Sequence, residues 1–174
     1  STTALLAHVL QGLGAAPGYA VGGEVTQWER AARMPVGDGF FVVEADESDG
    51  TLREFHPEQA IVLNVDEEHV DYFANLEAVC AEFATFAGQA RGAVFYCADD
   101  PKLVAMFAHR PGAVSYGVSP AAQYRVEPLS ADGMGARFEL WHGRDRLGEF
   151  QLAILGAHHV SNAAAVLAFC HHNG

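Results

Sequence analysis

Apolar positions along this chain follow two rhythms, and their order predicts the architecture. Leu5, Leu6, Val9, Leu10 and Leu13 recur at helical spacing until Gly12 and Gly14 interrupt them, which predicts that the chain opens in a helix. Phe40 to Val43 and Ala60 to Val65 are short unbroken apolar runs rich in aromatic and β-branched residues, the pattern of parallel strands covered on both faces. Residues 75–90 place Leu76, Val79, Cys80, Phe83 and Phe86 on one helical face, and Ala93 to Cys97 reads as a further buried strand. This order is a βαβ crossover. Asp99-Asp100-Pro101 predicts a helix start with proline in the first turn, carrying Leu103, Val104, Met106 and Phe107; Ala113 to Tyr116 predicts the next strand.

From about Tyr124 to Ile154 the rhythm changes to alternation. Phe138, Leu140, Leu147, Phe150 and Leu152 are the apolar members, and Asp132-Gly133 and His142-Gly143 supply turns, so a small antiparallel β appendage is expected there. Gly156 then precedes Val160, Ala164, Val166, Leu167 and Phe169, a last helix ending near Gly174. The fold class is therefore α/β: a mostly parallel sheet flanked by helices, with the antiparallel piece added.

Composition narrows the partners. A chain of 174 residues, half of them hydrophobic, can bury a substantial core without disulfides or metal staples. Net charge is −12, with Lys102 the only lysine beside nine arginines, which argues against nucleic acid or an anionic membrane as a partner. Cys80, Cys97 and Cys170 are odd in number, widely spaced and set in apolar sequence, so they read as reduced core thiols of a cytoplasmic protein. No apolar run approaches the roughly 20 residues that span a bilayer, and no signal-peptide pattern opens the chain.

Candidate chemistry gathers where apolar runs end. The first ends in Glu44-Ala45-Asp46-Glu47-Ser48-Asp49, and the second leads to Asp66-Glu67-Glu68-His69. Carboxylates and a histidine at the carboxyl ends of parallel strands lie where open α/β sheets bind ligands, and hard oxygens suit Mg²⁺. A solvated acidic loop is the plain alternative for the first cluster, and a hydrogen-bonded strand-end histidine is the plain alternative for His69.

Taken together, Ser1-Thr2-Thr3-Ala4-Leu5-Leu6, Gly22-Gly23, Glu44 to Gly50, Asn64 to His69 and Gly156 to Asn162 resemble the central ATP-binding domain of the Mur ligases along essentially the whole chain. Within that family the chain most resembles the members that join L-alanine to UDP-N-acetylmuramate in peptidoglycan synthesis. A P-loop-type sheet, ATP and Mg²⁺ as cofactors, and UDP-N-acetylmuramate and L-alanine as substrates are what the resemblance implies. So is the reaction: phosphorylation of a carboxylate to an acyl phosphate, then displacement of phosphate by an amine.

The resemblance also assigns residues. It implies that Glu44 and His69 hold magnesium and carry the catalysis; a magnesium-bound histidine needs its second nitrogen oriented, and Asp46, Glu47 and Asp71 are the candidates for that. Ser1 and Thr2 match the hydroxyl run that directly follows the phosphate-loop lysine, so Ser1 is a further magnesium candidate and the chain is expected to begin within or just after that loop. His159 and Asn162 match positions that contact adenine, although Ala157 and His159 replace an arginine and an asparagine of the family pattern. Gly22-Gly23 matches a pair near the substrate, and a plain turn explains it as well. Some relatives use a carbamylated lysine to hold the second metal. Lys102 is expected on a separate surface helix, away from His69, so that device is not anticipated. The N-terminal nucleotide-sugar domain and the C-terminal amino-acid domain of the family are expected to lie outside residues 1–174, leaving this stretch inactive alone. The alternatives are a ligase that recycles a tripeptide onto the same nucleotide sugar, and a non-catalytic domain that binds a ligand or subunit.

Overall fold

Ser1 starts the first helix, α1 (Thr2–Gly12), by accepting the Ala4 N–H on its hydroxyl at 3.4 Å. The computed structural model describes residues 1–174 apart from 24, 26, 27, 29, 47–49, 67–72, 74 and 134. The chain divides into two compact units, Ser1–Ala45 with Asn173–Gly174, and Asp46–His172.

In the first unit α1 packs on β1 (Gly18–Ala20) and β3 (Phe41–Val43); of the predicted face Leu6 and Leu10 are buried, with Ala7 beside them, Leu5 and Val9 are half-buried, and Leu13, past the helix end, is exposed. β1 is the middle strand, antiparallel to β2 (Ala32–Arg33) and parallel to β3. Neither β1 nor β2 stood out in the sequence, because three and two residues are too short to show a period. The Phe40 to Val43 run differs from expectation. It is not a central strand covered on both faces; within this unit β3 is at the edge of a three-stranded sheet, and Phe40, Phe41 and Val43 are exposed.

The second unit holds the sheet that the βαβ pattern predicts. Among the described residues it runs β4 (Ala60–Val62), β5 (Val94–Cys97), β6 (Ala113–Gly117), β7 (Tyr124–Asp132), β8 (Gly135–His142) and β9 (Asp145–Leu152). β4 to β7 are parallel neighbours, while β8 and β9 return as antiparallel hairpins. The antiparallel piece lies where it is expected, and it continues the parallel sheet. Pairing of Tyr116 with Tyr124 and Gly117 with Arg125 joins it to the parallel sheet, so one core serves both. The turns fall where Asp132-Gly133 and His142-Gly143 predict them.

All four residues of β5 are buried, and their alternation assigns the helices to faces. Phe95 meets Phe169 of α4 (Ala157–Asn173) at 5.6 Å between ring centres, whereas Tyr96 meets Phe107 of α3 (Pro101–Phe107) at 6.0 Å. α2 (Leu76–Gln89) packs beside α3, and its start is capped by Asn75, which accepts the Ala78 N–H at 2.9 Å. Arg110 closes the other end of α2 by donating to the Ala87 and Ala90 carbonyls at 2.9 and 3.1 Å. Asp100 caps α3 with Pro101 next, as read from the sequence. Cys80, Cys97 and Cys170 are all free thiols. Among the described residues no helix is long and apolar enough to cross a membrane.

Candidate active site

Glu44 follows β3 directly, and its backbone continues the parallel pairing by donating to the Ala20 carbonyl at 3.0 Å. That registration brings its exposed side chain to the turn after β1 and to the start of α1. One carboxylate oxygen, Oε2, accepts both the Ser1 hydroxyl at 2.9 Å and the Gly22 N–H at 3.2 Å. The same Ser1 oxygen caps α1, whose first turn contains no acidic residue. Two residues singled out separately in the sequence, Ser1 and Glu44, thus meet at one place, with the Gly22 backbone as third member. A Cβ on Gly22 would lie 3.8 Å from the Glu44 carboxyl, an ordinary contact, so the backbone N–H rather than the missing side chain is what this glycine contributes. Thr2, the first residue of α1, is half-buried.

A hydroxyl beside a carboxylate at a strand end is an all-oxygen donor set, which fits Mg²⁺ and fits zinc poorly. The N–H groups of the opening turn of α1 belong to the same neighbourhood, and a helix start of this kind favours phosphate.

His69, Glu47, Asp49 and Asp71 lie outside the described residues; Asp46 is described and exposed. Among the described residues no three His, Cys, Asp or Glu side chains are grouped so as to hold a metal ion.

His159 and Asn162 lie in the second unit, in the opening turns of α4. Gly156 precedes them with φ +124°, a conformation that favours glycine, and a Cβ there would fall 2.8 Å from the exposed His158 ring. The His159 N–H donates back to the Gly156 carbonyl at 3.0 Å, and the His158 and His159 rings are 3.9 Å apart between centres. The Ser161 hydroxyl faces the Cys97 thiol at 3.6 Å, fixing the start of α4 to the carboxyl end of β5. Next to it Asp99 accepts the Val118 and Ser119 N–H groups at 2.9 and 2.8 Å, which fastens the end of β6 to the end of β5. His159 and Asn162 therefore stand at the carboxyl edge of the parallel sheet, the edge where open α/β sheets take ligands.

A model of the Mur ligase middle domain matches residues 1–170. The chain belongs to this family. The middle domain is 37% identical over 171 residues to the UDP-N-acetylmuramate--L-alanine ligase of Myxococcus xanthus, covering 97% of the present chain and 36% of that protein. To the ligase of the same name from Thermosynechococcus vestitus it is 39% identical over 171 residues, covering 97% and 35%. Among solved structures, the UDP-N-acetylmuramate-alanine ligase of Thermotoga maritima superposes with a TM-score of 0.84 at 28% identity, over 99% of this chain and 39% of that one. The middle domain thus spans little more than a third of the curated relatives it matches.

Lys102 lies on α3, a helix separate from the strand that leads to His69, as expected. Its ammonium donates to Asp66 at 2.9 Å, three residues before His69 in the sequence, and lies 3.9 Å from Asp100. Asn64 donates to the other Asp66 oxygen at 3.0 Å, and Asp100 accepts the Val65 N–H at 3.4 Å. The Lys102 ammonium, followed by Asn64, holds the Asp66 carboxyl below the usual carboxylate range, and Asp66 in turn raises Lys102. The signal that could have found this pair is the crossover itself. Parallel neighbours β4 and β5 bring the end of one beside the helix start after the other.

Proposed function

We propose that this chain is the ATP-handling domain of a ligase that joins L-alanine to UDP-N-acetylmuramate with Mg²⁺ in peptidoglycan synthesis. The observation that carries the reading is the convergence of the Ser1 hydroxyl and the Gly22 N–H on one oxygen of Glu44, beside the start of α1. The two relatives named above, each covering 97% of the chain, support the choice of substrates.

In this reading Ser1 and Glu44 would hold Mg²⁺, with His69 as a further ligand. A magnesium ion bound there supplies screening of the negative charge that separates a carboxylate from a phosphate. The chain's own part is positional. The Gly22 N–H and the Ser1 hydroxyl both hold Oε2 of Glu44, which orients the carboxylate toward the start of α1. Ser1 and Thr2, with the N–H groups of the opening turn of α1, orient phosphate oxygens. His159 and Asn162 offer a ring nitrogen and an amide to an adenine edge. Ala157 and His159 replace an arginine and an asparagine, so the purine is held by fewer donors than the family pattern provides. The cytoplasm, where ATP is available, is the compartment this chemistry requires.

The test is ADP release by the whole ligase supplied with ATP, Mg²⁺, UDP-N-acetylmuramate and L-alanine. Turnover is expected to need all four and to fall at least about a hundredfold in Glu44→Gln, which keeps the shape but removes the charge. Turnover with a tripeptide in place of L-alanine would reassign the substrate to the recycling reaction. Unchanged turnover in Glu44→Gln would refute the assigned site.

A further inference from the structure

A second set of side chains lies on the hairpin side of the sheet, and the nucleotide-handling reading makes no use of it. Tyr124 of β7 is the register partner of His142 of β8, and His142 is the partner of Asp145 of β9 across the Gly143-Arg144 turn. Direct register partners share a face, so these three side chains form a row across the sheet. The last turn of α4 is laid over that row. His171 Nδ1 is 3.0 Å from the hydroxyl of Tyr124, a residue only 2% exposed, and the Tyr124 ring is stacked on His142 with centres 4.5 Å apart and 18° between planes. The rings of His142 and His171 are consequently 5.3 Å apart between centres, at 58° to one another, and both residues are exposed.

We infer that His142 and His171 form a two-imidazole site for a borderline divalent metal ion of the Zn²⁺, Ni²⁺ or Cu²⁺ class, with Tyr124 as the residue that orients both rings. Imidazole is a preferred ligand of these ions. Two imidazoles on one ion, each with a metal–nitrogen bond of about 2.0–2.1 Å, put their ring centres roughly 5 Å apart, which is the separation found here. In the tautomer with Nδ1 protonated, His171 donates to the phenol oxygen and presents a free lone pair on Nε2. That is the outer-shell support seen behind metal-bound histidines, and it comes from a buried side chain whose position is set by the core. Stacking on the same phenol ring fixes the plane of His142.

The pairing is made by tertiary structure, since one histidine ends a strand and the other ends a helix. Asp145, across the turn from His142, is the nearest carboxylate by register, and water completes the shell. Because no group of three His, Cys, Asp or Glu is arranged around an ion among the described residues, the protein contributes two ligands and the affinity is modest. Mg²⁺ does not compete, because it selects oxygen ligands and keeps its own water.

The experiment is a calorimetric titration of Ni²⁺ into the 174-residue chain in the presence of excess Mg²⁺, with each variant first checked for an unchanged melting curve. One ion per chain is expected, bound at least about tenfold more weakly in His142→Ala and in His171→Ala, with a smaller loss in Tyr124→Phe. His172→Ala and the double variant His158→Ala/His159→Ala are expected to bind as the parent does. Should either exposed alanine variant disturb the fold, His142→Gln or His171→Gln keeps the bulk and removes the ligand. No binding by the parent chain overturns the inference. So does binding that survives His142→Ala, or that is lost only with His158 and His159.

Discussion

Glu82 is the charged residue that the helical pattern of α2 could not explain, since it is only 4% exposed on a face shared with Val79, Phe86 and Ala87. Its partner is Arg53, in the 3-10 turn Thr51–Glu54, which donates through Nε to one carboxylate oxygen at 3.1 Å and through Nη2 to the other. Replacing Arg53 by Met keeps the aliphatic stem and leaves the carboxylate buried without its bidentate donor. Removing one member of a fully buried pair costs about 3–5 kcal/mol, and an exposed pair is worth roughly 0–1. Here the carboxylate side chain is 5% exposed and the arginine side chain 56%, so solvent already screens half of the interaction, and a loss of about 2 kcal/mol is expected. The assay is urea denaturation of the 174-residue chain, read at the midpoint, with a melting curve beside it. A loss of that size lowers the melting temperature by about 4–8 °C in a chain of this length. The double variant Arg53→Met/Glu82→Leu removes the stranded charge as well, and is expected to recover most of the loss. A loss below about 0.5 kcal/mol in Arg53→Met, or strict additivity in the double variant, would refute the argument.

Lys102→Met should change how stability depends on pH. The Asp66 carboxyl is depressed in the folded chain, so its contribution is present above the unfolded carboxylate pKa and is lost as pH falls through the folded value. The advantage of the parent over Lys102→Met, measured by urea midpoints, is therefore expected to shrink below about pH 4. Lys102 is raised, so on the alkaline side that advantage holds below the usual lysine pKa and is lost as pH climbs through the folded value. Gly135 has φ +117°, and a Cβ there would meet the Leu152 carbonyl oxygen at 1.8 Å; Gly143 has φ +61° with nothing within 4 Å. Gly135→Ala is thus expected to break the β8–β9 pairing and cost several kcal/mol, against about 1 kcal/mol for Gly143→Ala, both read from urea midpoints. Arg110→Ala removes the donor that closes α2 and should cost about 1 kcal/mol by the same measurement.

The elements legible in the sequence are those whose own residues carry the cause. The Asp100-Pro101 start of α3, the turn residues at 132–133 and 142–143, and the helical faces of α1 and α2 rest on local backbone and side-chain chemistry, which does not depend on distant partners. Glu44 was visible for the same reason, as an acidic residue ending an apolar strand. What neighbours supply was not visible. That β3 stands at the edge of its own small sheet, that β7 joins β6 so the hairpins share the parallel core, and that Lys102 reaches Asp66 are all pairings between segments far apart in sequence. A strand's apolar run records that it will be covered, whereas which strand lies beside it is settled by register and crossover geometry in the folded chain. Ser1 and Glu44 show the division within one site. Their residue types announce hard-oxygen chemistry, and only the tertiary fold brings a hydroxyl 43 positions away to within 2.9 Å of the carboxylate.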